Sequence, residues 1–168
     1  RWRDRIRLGI VSRGYGRKST GSLRVDEKAF DAPEKYGDEP VWLAKTSGVP
    51  VQVGERKLKA AQDLVASDGL KMILLDDGFQ HLAIRRSFDI VLVDTSAPAW
   101  HWHVLPRGRL RESVRAFRRA DAVILTKTEN VAADFVSKLE NDIRRWLGPS
   151  RKVPIIRFQQ SISWSSGD

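Results

Sequence analysis

An α/β layer sandwich of Rossmann-like type, built on a mostly parallel sheet, is the fold this 168-residue sequence predicts. Short apolar runs recur along the chain, with segments of helical periodicity between them, and strands that alternate with helices imply parallel pairing. Several of those runs are also uniformly apolar. Ile-Val-Leu-Val at positions 90–93 suits a strand covered on both faces, as doubly wound sheets require.

In chain order, strands are expected at Ile6–Val11, Val49–Val53, Met72–Leu75, Ile90–Val93, Ala122–Leu125 and Val153–Ile156. Leu58, Ala61, Leu64 and Val65 share one helical face, and Val131, Phe135, Leu139, Ile143 and Leu147 recur every four residues, the spacing of an amphipathic helix. Gly37-Asp38-Glu39-Pro40 before Val41-Trp42-Leu43-Ala44 reads as a helix start with an acidic cap and a proline in the first turn. A further helix is expected from Ser113 to Arg119, its arginines on a solvated face. The length favours a single domain over residues 1–168.

Composition narrows the class. Hydrophobic residues make up 41% of the chain, enough for one sizeable core, while no apolar run approaches the roughly 18 residues of a membrane span. Arg1-Trp2-Arg3-Asp4-Arg5 has no apolar core of a secretory signal. The absence of cysteine rules out disulfides and thiolate metal sites and fits the cytoplasm. Thirty Lys and Arg against twenty-one Asp and Glu give a net charge of +9, which favours an anionic partner: nucleic acid, a phosphorylated substrate or an anionic membrane face.

Ligands of such sheets bind beyond the carboxyl ends of the strands, so the residues just after each strand are the first place to look for chemistry. Leu74-Leu75-Asp76-Asp77-Gly78-Phe79-Gln80-His81 ends an apolar strand in two adjacent carboxylates. Magnesium takes hard oxygen ligands, usually one or two carboxylates together with phosphates and water, so Asp76 and Asp77 form a candidate metal site. The bland alternative makes Asp77-Gly78 a type I′ hairpin turn. His81, five residues beyond Asp76, is a candidate proton carrier. Asp38 at a helix start is a candidate acceptor of a hydroxyl proton.

Ser12-Arg13-Gly14-Tyr15-Gly16-Arg17-Lys18 follows the first strand; its glycines permit close backbone approach and its cations suit phosphates. It is not a Walker A loop, because the pattern G-x-x-x-x-G-K-[ST] occurs nowhere in the chain. Trp100-His101-Trp102-His103 and the arginines after it suit a bilayer interface or stacked bases. Thr126-Lys127-Thr128-Glu129 is a weak match to the base-reading motif of GTPases, and a lysine past a strand end with a helix cap at Asn130 explains it as well.

Taken together, Ser-Arg-Gly-Tyr-Gly-Arg (12–17), Gly-Asp-Glu-Pro (37–40), Asp-Asp-Gly-Phe-Gln-His (76–81) and Leu-Pro-x-Gly-x-Leu-Arg-Glu (105–112) resemble the tetraacyldisaccharide 4′-kinase (lipid A 4′-kinase) family in order and spacing. The resemblance covers about residues 6–128 and implies a P-loop-kinase-type sandwich, incomplete here, that uses ATP and Mg2+. The substrate it implies is tetraacyldisaccharide 1-phosphate, phosphorylated at its 4′-hydroxyl on the cytoplasmic face of the inner membrane of Gram-negative bacteria. By position, Asp38 matches the catalytic base, Glu39 its acidic neighbour, Asp76 and Asp77 the Walker B-like magnesium site, and His81 completes that motif. Ser12, Arg13, Gly14, Tyr15 and Arg17 would lie near the nucleotide and the lipid head group. An anionic membrane surface is then the implied partner, and no nucleic acid.

The resemblance also implies an internal fragment without the Walker A loop and the C-terminal lobe, with little or no kinase activity by itself. Arg107 and Arg109 stand where the family tends to have alanine and proline. A basic nucleic-acid-binding module, or a fragment of a P-loop GTPase or metal-chaperone ATPase, are the alternatives that the charge and Thr126–Glu129 leave open.

Overall fold

The structure, a computed structural model, describes residues 6–97, 103–108, 110–149 and 151–159. The chain divides into two compact units, one running to Ile84 and the other beginning at Arg85.

In the first unit the sheet comprises β1 (Leu8–Ser12), β2 (Leu23–Arg24), β3 (Val51–Val53) and β4 (Met72–Leu75) in the order β2-β3-β1-β4. Strand β1 runs parallel to both neighbours, with Ile10 opposite Val51 and Leu74, and only the two-residue β2 is antiparallel. All five β1 residues are buried, because its two faces are covered by different helices. Ile10 packs with Tyr36 of α1 (Ala32–Tyr36) and with Val41 and Ala44 of α2 (Asp38–Ser47). Val11, on the opposite face, packs with Ala60 and Leu64 of α3 (Lys57–Asp68).

The second unit holds β5 (Ile90–Asp94), β6 (Ala122–Thr126) and β7 (Ile155–Arg157), all parallel in the order β5-β6-β7. Val93, Val123 and Leu125 pack against Val136, Leu139, Ile143 and Leu147 of α4 (Ala133–Leu147) and against Phe117 of a 3-10 helix, Val114–Arg119.

The parallel α/β architecture expected from the sequence is present, and every expected strand lies within two residues of an observed one. The differences are informative. Ile90–Val93 is not covered on both faces: Ile90 and Leu92 are 48% and 66% exposed, while the core of this unit packs on the face of Val91 and Val93. On α3 the core stripe is Lys57, Ala60 and Leu64, while Leu58 and Val65 face solvent. The helix is turned so that a lysine occupies an inward position. The cap of α2 is Gly37, with Asp38 in the first helical position and no side-chain capping bond; its acidic first turn still complements the helix dipole. Nor is Asn130 the cap of α4, which begins after Ala132. The expected Ser113–Arg119 helix is the 3-10 turn already named.

Truncating fully buried Leu64 to alanine should destabilise the fold by about 2–5 kcal/mol, as core leucine truncations do. Leu92→Ala, at an exposed position, should cost well under that. Urea melts of the two variants measure the contrast, and equal losses would mean that β5 is covered on both faces after all.

Candidate functional site at the crest of the first sheet

Three of the segments singled out in the sequence meet at the carboxyl end of β1. The parallel ladder between β1 and β4 runs one bond past the strands, with the Asp76 N–H donating to Val11 O at 2.9 Å. This brings the half-buried Asp76 carboxyl beside Ser12, whose hydroxyl donates to Asp76 Oδ2 at 2.8 Å. Asp77 then leaves the strand with φ of 47°, a left-handed conformation that aspartate tolerates better than most residues. No hairpin follows: residues 76–84 form turns, and the next strand, β5, pairs in parallel within the other sheet. The hairpin alternative for Asp77-Gly78 is therefore excluded.

A buried cation fixes this turn. Lys57, only 3% exposed, donates its ammonium to the carbonyl oxygen of Asp76 and, at 2.8 Å, to that of Asp77. With both carbonyls tied back to α3, the backbone that carries the two carboxylates is held in place. Sequence reasoning missed Lys57. Its signal was its place one turn before Ala60 and Leu64 on the core face of α3, where a lysine needs a polar partner.

The third segment arrives through two close-packed glycines. Gly14 has φ of 70°, and a Cβ there would stand 2.8 Å from Tyr36 O. A Cβ on Gly37, where φ is 93°, would stand 3.0 Å from Tyr15 O. Both positions require glycine on conformational and steric grounds. The 12–17 loop and the start of α2 are thereby locked together, and Asp38 and Glu39, both exposed, follow immediately.

Around this centre the remaining residues divide by use. Arg13 is exposed, and Tyr15 is 92% exposed. Arg17 instead serves the loop itself: its side chain is buried against Glu55, and it donates to Gly21 O at 2.6 Å and Ser19 Oγ at 3.2 Å. Glu55 also accepts from the Gly21 N–H at 3.1 Å, and its pKa is lowered by its own backbone N–H and, beyond that, by Arg17. His81 is half-buried among the turns, its N–H donating to Gly78 O at 3.0 Å.

The second unit has a polar crest of its own. Asp94 accepts from Lys127 at 2.6 Å and from the Ser96 N–H and hydroxyl at 3.0 and 2.6 Å. These bonds, Lys127 first, lower its pKa. The ion pair accounts for Lys127 at the strand end without any base-reading role. Trp100, His101, Trp102 and Arg109 lie outside the described residues, whereas Glu112 of the fourth motif pairs with Arg119 at 2.9 Å. A groove of about 560 Å³ lined by Arg144, Leu147, Lys152 and Ile155 opens at the amino end of β7, the edge of that sheet opposite Asp94.

Lys57→Met should cost about 1–3 kcal/mol, because it removes the buried ammonium that donates to the Asp76 and Asp77 carbonyls; an unchanged denaturation midpoint would show that the clamp is dispensable. Asp94 titrates below its unfolded value, so its contribution is complete above the ordinary aspartate pKa of about 3.9 and vanishes as pH falls through the lower folded value. The stability gap between wild type and Asp94→Asn, measured by denaturant melts, should be full near neutrality and should close in that acidic window.

Comparison with known proteins bears on the same residues. The family model "Tetraacyldisaccharide-1-P 4'-kinase" matches residues 2–162. Similar curated proteins include the tetraacyldisaccharide 4′-kinases of Dechloromonas aromatica, 45% identical over 73% of this chain and 36% of that protein, and Desulfatibacillum aliphaticivorans, 41% identical over 76% and 36%. That of Methylobacillus flagellatus is 33% identical over 88% and 44%. The chain thus spans less than half the length of these relatives. Among solved structures, LpxK from Aquifex aeolicus in complex with ATP superposes with a TM-score of 0.68 at 25% identity, covering 98% of this chain and 67% of that one. With the match running through all four motif blocks, the chain belongs to the tetraacyldisaccharide-1-P 4′-kinase family.

Proposed function

We propose that this chain carries the acceptor-activating and metal-binding core of an ATP-dependent kinase that phosphorylates the 4′-hydroxyl of tetraacyldisaccharide 1-phosphate. The observation that carries the reading is the convergence at one strand crest of Ser12 bonded to Asp76 with Gly37 packed on the Gly14–Tyr15 backbone. This convergence supports a reading in which Asp38 as proton acceptor and the Asp76-Asp77 carboxylates serve the same loop.

Asp38 accepts the proton of the attacking hydroxyl, with Glu39 beside it as a second acceptor for substrate hydroxyls. Asp76 and Asp77 are the residues that would hold Mg2+. They offer hard carboxylate oxygens, and although no group of three or more metal-ligating side chains occurs among the described residues, magnesium needs only one or two when phosphates and water complete its shell. When bound, the ion would neutralise charge on the β- and γ-phosphates. Ser12 and Lys57 keep Asp76 and its turn oriented, the exposed Arg13 and Tyr15 are available to the phosphates, and His81, in the turns that follow Asp77, serves as the proton carrier of this reading. Arg17 contributes by holding the loop shut rather than by offering a free cation.

No helix among the described residues is long and apolar enough to cross a membrane. The site of action in this reading is the anionic, cytoplasmic surface of the inner membrane, which attracts a chain of charge +9.

Because phosphoryl transfer depends on positioning and charge stabilisation, and the Walker A pattern is absent from these 168 residues, the chain alone should transfer little or no phosphate. Grafting residues 6–128 in place of the matching segment of the Desulfatibacillum aliphaticivorans kinase tests the reading. The graft should turn over ATP and substrate, and Asp38→Ala in it should lower kcat by about 10² to 10⁴ while nucleotide still binds. Replacing Asp76 and Asp77 together with alanine should remove the metal dependence of nucleotide affinity. An inactive but folded graft would count against the kinase reading, and salt-sensitive nucleic-acid binding indifferent to Mg-ATP would favour a basic binding module.

A further inference from the structure

Helix α2 presents its core face through Pro40, Val41 and Ala44. At 3.6 residues per turn, Asp38, Trp42 and Lys45 fall outside that face within an arc of about 60°, spread over about 10 Å of helix axis. All three are exposed, Trp42 by 61%. A large aromatic ring so open to solvent contributes little to the fold, and its backbone is already served, Trp42 O accepting from the Thr46 hydroxyl at 2.8 Å. The stripe therefore reads, from the helix start onward, carboxylate, indole, ammonium.

We infer that Trp42 is a substrate-positioning platform, on which a sugar ring of a phosphorylated disaccharide stacks so that one hydroxyl meets Asp38 and a phosphate at the far end meets Lys45. The inference rests on the kinase reading above and adds to it the surface that receives the acceptor.

The chemistry of each group selects this ligand. An indole face buries the apolar C–H face of a pyranose and gains from the polarised hydrogens it meets there. Carboxylates accept from ring hydroxyls. An ammonium one turn further along is a point charge suited to a phosphate. The same charges argue against a bilayer as the occupant: Asp38 and Glu39 stand four and three residues before Trp42 on the same helix, and they repel anionic head groups that a docking helix would have to approach. An acyl chain alone would find carboxylates where it needs apolar walls.

The test uses the 168-residue chain and the deacylated disaccharide 1-phosphate as probe, with binding followed by calorimetry and folding by thermal melts. Trp42→Ala should weaken binding by about tenfold or more and Trp42→Phe by only about threefold, since the phenyl ring keeps a stacking face. Lys45→Ala should weaken binding of the 1-phosphate but not of the same disaccharide without phosphate. In the active graft, Trp42→Ala should raise KM with kcat largely retained, the signature of lost ground-state and transition-state binding alike. Equal affinity of wild type and Trp42→Ala, or no binding of the probe by the folded wild-type chain, would overturn the inference. Neither result touches the kinase reading, which stands or falls on turnover by the graft and on the metal dependence at Asp76 and Asp77.

Discussion

The parallel pairing of β1 with β4 is the constraint on which the rest of the candidate site depends. Leu8 to Val11 align with Met72 to Leu75 one for one, and the ladder extends by the single bond from Asp76 to Val11. A slip of one residue would send Asp76 to the other face of the sheet and part it from Ser12. The buried β1, gripped by α3 on one side and by α1 and α2 on the other, fixes that register from the inside. The chemistry at the crest is thus set by packing several residues away from it.

Much of this was legible in the sequence because it follows from local pattern. Apolar runs punctuated by polar ends located the strands, and the position of Asp76-Asp77 directly after Leu75 put two carboxylates at a strand end. What local pattern leaves open is which side of an element faces inward when the energetic reason is a single long-range contact. Lys57 is the clearest case. Its inward position is made favourable by two carbonyls nineteen and twenty residues away, and that turn of α3 leaves Leu58 and Val65 in solvent. The open face of β5 was hidden for the same reason, since composition records how apolar a strand is and not which of its faces is covered.

Arg17 and Lys127 carry a related lesson about cations near strand ends. Both fall in motifs suited to anion binding, yet each is held by a carboxylate of the protein, Glu55 and Asp94 respectively. A net charge of +9 does not translate into nine cations ready for a ligand. Those that remain exposed beside the first crest, Arg13 foremost, are fewer and better placed than the total implies.

Strand β4 is an end strand of its sheet, with one hydrogen-bonded neighbour and with Met72 and Leu74 nearly half exposed. Segments with few buried contacts open more readily than the core around them, so the two carboxylates ride on one of the more easily released parts of the first unit. The bonds from Lys57 and Ser12 oppose that release. Any ligand that engages Asp76 and Asp77 only while β4 is docked adds to them by mass action. Occupancy of the crest and local unfolding of β4 are then two faces of one equilibrium, and the strand's hydrogen-exchange protection becomes a gauge of what the site has bound.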